Sequence, residues 1–395
     1  MAARVWVAKV IAFVAQITPT VTHGQRGAHV ARRNVVFGQA MRHQRNTHPG
    51  HEGTNYAVKL IKLRPRQRVD AAHLMHRTGI LKMRVNKIRC ERKGTTASRG
   101  TMSGMGNSVN STATHEQVYA VAGTSALVLD SPHSGTLYPA DFAFSCDGVV
   151  LRRAEDTHVE KLYDFAPGMK VHWVEAMFPR SYLDANRNIT EMDESLLDGA
   201  WLGPIETDAA VMSKVRLGKG LIWRTLDDGS PIYSRKLAVA EVQARIAHCW
   251  QPYHAAVAAS IDLAHAQHGY SIHINCHSMP AVASSKATDF PGEKHADFVV
   301  GDRDGTTAHP ALSQLICGHL RSLGYSVAYN HPYKGVELVR RYSNPAGHRH
   351  SVQLEINRKL YMNEETLEIL PGFEPLKVHL QSLVGLLLKT DLRQL

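Results

Sequence analysis

Residues 270–278 read YSIHINCHS, and this stretch decides the fold. Ile272, Ile274 and Cys276 fall on one side of an extended strand, and Ser271, His273, Asn275 and His277 on the other. Upstream, residues 236–268 carry a long amphipathic pattern broken at Pro252 and stopped by Gly269, which predicts two consecutive helices. Downstream, Ala308–Gly324 reads as a helix, and Ser326–Tyr329 and Ser351–Ile356 read as strands. In the last of these Val352, Leu354 and Ile356 share one face, while Gln353 and Glu355 share the other.

The same alternation continues toward the N-terminus. Tyr119–Asp130 ends in an apolar run expected to be a buried strand, and Ser-Pro-His-Ser-Gly at 131–135 breaks it, because Pro132 and Gly135 demand a turn. Asp156–Ala166 places Val159, Leu162, Tyr163 and Ala166 at helical spacing, with Asp156 near the start, where a carboxylate suits the helix dipole. Val171–Ala176 reads as a strand, and residues 178–187 (FPRSYLDANR) show little helical pattern. Helices alternating with strands predict an α/β sheet protein.

Charge divides the chain. The net charge is +11 over 395 residues. Residues 1–110 hold 20 Lys and Arg against three acids, Glu52, Asp70 and Glu91, whereas the remainder is mildly acidic. The basic segment is read apart from a catalytic domain over 111–395. Three explanations compete for it: a disordered arm touching nucleic acid or membrane, a targeting segment, or translation from a start set upstream of Met102 or Met105. Five scattered cysteines without a CxxC pair fit a reducing cytosol. No apolar run reaches the roughly 18 residues a membrane span needs.

Three side chains fall at strand ends, where α/β sheets gather ligands. His133 follows the strand ending at Asp130, His277 ends the alternating run, and Glu355 lies in VQLEINR. A catalytic zinc takes three protein ligands and keeps an open position. His133 and His277 suit two of them. Asp156 is the best local candidate for the third, with Glu160, one turn further, as the alternative. Glu355 suits the acid/base role, its rival reading being a strand glutamate paired with Arg358. Arg180, Asn186 and Arg187 suit a carboxylate-bearing substrate, since guanidinium forks hold carboxylates bidentately. The rival reading pairs both arginines with Asp184 and the acids of 191–194. Lys334 and Arg340 are further anion contacts or plain surface charges.

The stretches SPHSG, DTHVEKLYDFA, PRSYLDANR, CWQPYH, HPYKGVELVRRY and VQLEINRKLYM, together with the His-Ser of INCHSM, occur in order over about residues 117–385. In this the chain resembles the N-formylglutamate amidohydrolases. The resemblance implies a mixed central sheet flanked by helices, of the phosphorylase/hydrolase-like, zinc-peptidase type. It implies one Zn2+ ion and cleavage of N-formyl-L-glutamate to formate and L-glutamate, in the cytoplasm, as a step of histidine degradation. It matches His133, Asp156 and His277 to the metal ligands and Glu355 to the general base. Arg180, Asn186 and Arg187 resemble a substrate-carboxylate clamp. One departure stands out: where family members often carry Asp-Ala-His-Ser, this chain has Asn275-Cys276-His277-Ser278. Another zinc amide hydrolase (an N-acyl amino acid deacylase, a carboxypeptidase or a cell-wall amidase) remains the nearest alternative. A basic-arm nucleic-acid-binding protein is the non-enzymatic one.

Overall fold

The computed structural model describes residues 117–285 and 290–394. The basic segment expected over 1–110 lies outside the described residues.

Seven strands form one sheet: β1 (Val118–Val121), β2 (Leu127–Ser131), β3 (His172–Ala176), β4 (Ser271–Met279), β5 (Phe298–Gly301), β6 (Val327–Tyr329) and β7 (Arg349–Asn357). Their order across the sheet is β1-β3-β2-β4-β7-β5-β6. Strands β3, β2, β4 and β7 run parallel to one another. β1 is antiparallel to β3, and β5 is antiparallel to β7 while parallel to β6. This is the mixed α/β sheet the sequence predicts.

The helices are α1 (Gly148–Arg152), α2 (Val159–Leu162), α3 (Val211–Arg216), α4 (Val239–Arg245), α5 (Gln251–His268), α6 (Pro310–Ser322), α7 (Glu337–Tyr342) and α8 (Phe373–Leu387). They cover both faces of the sheet. On one face, Leu127, Leu129, Ile272, Ile274, Cys276, Val352 and Leu354 pack against α2, α6 and α8. On the other, Val128, Val174 and Ala176 pack against α4 and α5 through Val242, Tyr253, Val257 and Ile261. Apolar area removed from water at about 25 cal/mol per Å² makes these two layers the main source of cohesion.

Two expectations need correction. The helix predicted over Asp156–Ala166 shrinks to the single turn of α2, because His158 at its head takes a left-handed conformation (φ 69°) and Pro167 opens a separate 3-10 turn. Asp156 therefore stands in the loop before the turn. The break predicted at Pro252 is absent as well. α4 runs through a π-helical turn, Ile246–Trp250, into α5 without a gap. The Gln251 N–H reaches back five residues to the Ile246 carbonyl. Pro252 then falls in the first turn of α5, where a missing N–H is tolerated. Gly269 ends the helix as expected, at φ 78°. Helix α8, for which the sequence reading assigned no element, closes the first core layer.

Candidate functional site

The register of the central strands builds the site. β2, β4 and β7 lie side by side and parallel, pairing Asp130 with Asn275, Asn275 with Gln353, and His277 with Glu355. The strand period of two sends Ile272, Ile274 and Cys276 into one apolar layer and leaves His273, Asn275 and His277 on the opposite face. Cys276 thus lies buried with its thiol turned away from His277.

Among the described residues, ligand atoms of His133, Asp156 and His277 converge within 4.8 Å of one another. All three side chains are buried. His133 sits in the turn leaving β2, and its carbonyl accepts the Asp156 N–H at 3.0 Å, which joins two ligand loops. Asp156 Oδ2 lies 3.0 Å from His277 Nδ1 and 3.5 Å from His133 Nδ1. Glu160, the alternative third ligand, does not join the group.

Each imidazole has its outer nitrogen committed elsewhere. His133 Nε2–H donates to Asp184 Oδ1 at 2.7 Å. His277 Nε2–H donates to Asn275 Oδ1 at 2.7 Å. Both Nδ1 atoms face inward, toward one carboxylate oxygen of Asp156. His133 Nδ1 is buried without a hydrogen-bond partner. A buried polar atom left unpaired costs about 1–3 kcal/mol, and with both Nδ1 atoms unprotonated the three inward atoms are all acceptors and repel. A cation between them removes the conflict, and a single proton can satisfy only one pair. Two imidazole nitrogens and one carboxylate oxygen form a donor set suited to a divalent transition metal. The cluster is therefore able to hold a metal ion.

The other oxygen of Asp156 is held from behind. Oδ1 accepts from Arg358 Nη2 at 2.9 Å and faces Arg180 Nη1 at 3.5 Å. Burial alone would push the Asp156 carboxyl up; the two histidines and Arg180 more than offset it and hold it well below the ordinary value. Asp184 behaves alike. Burial raises it, while His133 and Arg180, the latter at 3.1 Å from Oδ2, bring it well below. Trp223 Nε1–H also donates to Asp184 Oδ2 at 3.1 Å, and the Arg180 guanidinium lies 4.7 Å over the Trp223 ring.

Glu355 is buried beside His277, and its Oε1 accepts from Gln353 Nε2 at 2.7 Å. Burial raises its carboxyl, His277 opposes that, and the Asp156 charge adds to the rise, with a net shift upward. The rival pairing with Arg358 does not form, because that guanidinium donates to Asp156, to Ser278 Oγ and to the Arg153 carbonyl.

The anion-contact candidates separate. Arg180 stands at the cluster. Asn186 is buried in it, with Oδ1 accepting the Leu338 N–H at 2.9 Å and Nδ2 lying 3.0 Å from His277 Nε2 and facing Asn275 Oδ1 at 3.3 Å and Gln353 Oε1 at 3.4 Å. Arg187 pairs with Glu191 at 3.0 Å. Lys334 pairs with Asp304 and Arg340 with Glu337, both on exposed stems. Two members of the cluster, Asp184 and Arg358, were read from sequence only as ion-pair partners. Each lies within a motif stretch, but no periodicity or spacing marks them as supports for His133 and Asp156.

Comparisons with known proteins point to one family. The family model described as N-formylglutamate amidohydrolase matches residues 125–362. The N-formylglutamate deformylase of Pseudomonas putida is 31% identical over 245 residues, spanning 60% of this chain and 82% of that protein. Its counterpart from Pseudomonas aeruginosa is 31% identical over 60% of this chain and 83% of that protein. The crystal structure of N-formylglutamate amidohydrolase from Ralstonia eutropha JMP134 superposes with a TM-score of 0.66 at 41% identity, covering 71% of this chain and all of that one. With the match running from β2 through the residues that follow β7, the chain belongs to the N-formylglutamate amidohydrolase family.

Proposed function

We propose that this protein is a zinc-dependent amide hydrolase that cleaves N-formyl-L-glutamate to formate and L-glutamate. The observation that carries the reading is the convergence of two inward Nδ1 atoms on one carboxylate oxygen, beside a buried glutamate, in a chain of this family. His133, Asp156 and His277 hold the ion. A divalent ion in such a place polarises an amide carbonyl and lowers the pKa of water to about 7. Glu355, its carboxyl raised by burial, takes the water's proton and passes it to the leaving nitrogen. Arg358 and Arg180 hold Asp156 so that Oδ2 faces the histidines.

Arg180 and Arg187 receive the substrate carboxylates. Each has N–H groups beyond those spent on Asp184 and Glu191. Asn186, with its amide already committed on both sides, acts by holding the α7 segment against β4 and β7. Lys334, in an exposed ion pair, and Arg340, exposed itself but paired with the buried Glu337, would join the anion contacts only by releasing Asp304 and Glu337.

Residues 111–395 carry this activity in our reading, and a cytoplasmic setting accords with the free thiols of Cys146, Cys249, Cys276 and Cys317. No helix among the described residues is long and apolar enough to cross a membrane.

The test offers the purified protein formyl-, acetyl- and succinyl-glutamate beside formyl-aspartate, with and without a chelator, and measures bound metal. Formyl-glutamate should be the best substrate, and chelation should abolish turnover. Turnover that survives complete removal of metal, or a protein that prefers another acyl group, overturns the reading.

A further inference from the structure

The two imidazoles of the cluster are supported differently. His133 gives its outer N–H straight to a carboxylate, Asp184. His277 gives its own to a neutral amide, Asn275 Oδ1 at 2.7 Å. Asn275 then donates Nδ2–H to Asp130 Oδ1 at 2.9 Å. The amide can lie only one way round, since an N–H must face the Asp130 carboxylate and the oxygen is left for His277. Asp130 also receives Tyr253 Oη–H at 2.6 Å and His273 Nε2–H at 2.8 Å. Asp130, His273 and Asn275 have no solvent exposure at all. Strand register fixes the chain of contacts: Asp130 on β2 is the neighbour of Asn275 on β4, and Asn275 precedes His277 by one strand period.

We infer that Asn275 is a positioning residue through which the buried carboxylate of Asp130 polarises His277, so that a fixed negative charge stands behind each imidazole of the cluster. This rests on the metal-site reading given above. A carboxylate behind a ligand histidine fixes its tautomer and strengthens it as a donor, and chains of hydrogen bonds polarise one another in a low dielectric. The neutral spacer has a physical reason. A carboxylate at position 275 would stand within hydrogen-bond distance of Asp130 in a dry interior, where two such charges do not both persist. With an amide between them, one charge serves His273, Tyr253 and, at one remove, His277.

The test reads zinc affinity of the full chain by competition with a chromophoric chelator, together with the thermal midpoint of the metal-free protein. Asp130→Asn removes the charge while keeping an oxygen for His273 and Asn275. It should weaken zinc binding by about 10- to 100-fold. Asn275→Asp alone should lower the metal-free midpoint, because it sets two carboxylates together. The double variant Asp130→Asn/Asn275→Asp moves the charge onto His277 and should restore zinc affinity. The visible spectrum of cobalt-loaded protein should shift in Asp130→Asn and return in the double variant. Should Asp130→Asn not fold, Asn275→Ser cuts the same link and should show the same loss of affinity. Zinc binding as tight as wild type in Asp130→Asn or Asn275→Ser overturns the inference alone, as does a double variant no tighter than Asp130→Asn. A wild-type protein that holds no divalent ion overturns this inference and the metal-site reading together.

Discussion

At the residue scale the site turns on which nitrogen or oxygen faces inward. Asp156 presents a single oxygen to the two histidines because Arg358 and Arg180 occupy the other. Glu355 differs in kind. It stays close to the His133–Asp156–His277 cluster through register, next to His277 on the neighbouring strand. Glu355→Gln keeps the shape and loses the proton carrier, so metal content should remain at the wild-type level while kcat falls by about 10²- to 10⁴-fold. Metal analysis and steady-state kinetics on one preparation check this, and near-normal kcat would remove Glu355 from the chemistry. His133, His277 and Glu355 are legible in the sequence because His277 ends an alternating run, Glu355 keeps phase within one, and His133 lies in the turn directly after an apolar strand. Asp184 is not, because its stretch has no period and its contact crosses 51 positions to His133.

At the element scale, period-two alternation was the most dependable guide. It placed β4 and β7 within a residue or two and assigned their faces correctly. Helix ends misled where local geometry overrode pattern. The positive φ of His158 cut α2 short, and a π turn absorbed the proline expected to break the rod from α4 to α5. The turn that carries His133 depends on a close backbone approach. Segment 133–137 runs along 176–178, with the Leu137 N–H donating to the Met177 carbonyl at 2.8 Å. A Cβ on Gly135 would run into the carbonyl oxygens of Ala176 and Phe178. Gly135→Ala should cost about 1–3 kcal/mol as an overpacking change. It should also weaken metal binding, since His133 rides on the same turn. Denaturant unfolding and chelator competition read the two effects, and unchanged values in both would refute the tight turn.

At the scale of the whole molecule, buried neutral histidines and buried carboxyls pull the pH dependence of stability in opposite directions. Burial lowers His172, His254 and His350 to about 4 each. Two are held as acceptors: His172 Nδ1 takes the Gly123 N–H and His350 Nδ1 takes the His309 N–H, both at 3.1 Å. His254 Nε2–H donates to the Ala185 carbonyl at 2.8 Å. An unfolded histidine titrates near 6.5, so through these three groups the unfolded chain binds more protons than the folded one between about pH 6.5 and 4. Their contribution to stability is fully present above that range and drains away as pH falls through it. Burial raises Glu155 and Glu160 to about 7, and these carboxyls act in the opposite sense, favouring the folded chain as pH falls. His254→Gln, which retains a donor for Ala185, removes one of the three acid-sensitive contributions, so from pH 7 to pH 5 its thermal midpoint should gain on that of the wild type. A difference between the two midpoints that does not change with pH would contradict the assignment. The strand order has a separate consequence for the newly made chain. β7 is the last strand to leave the ribosome, yet it occupies a central place in the sheet, between β4 and β5. Translation that halts before Arg349 would leave a polypeptide carrying His133, Asp156 and His277 but lacking Glu355 and Arg358, with a gap in the middle of its sheet. The cluster would lose both a central neighbouring strand and the guanidinium that orients Asp156, so assembly of the site waits for the closing stretch of synthesis.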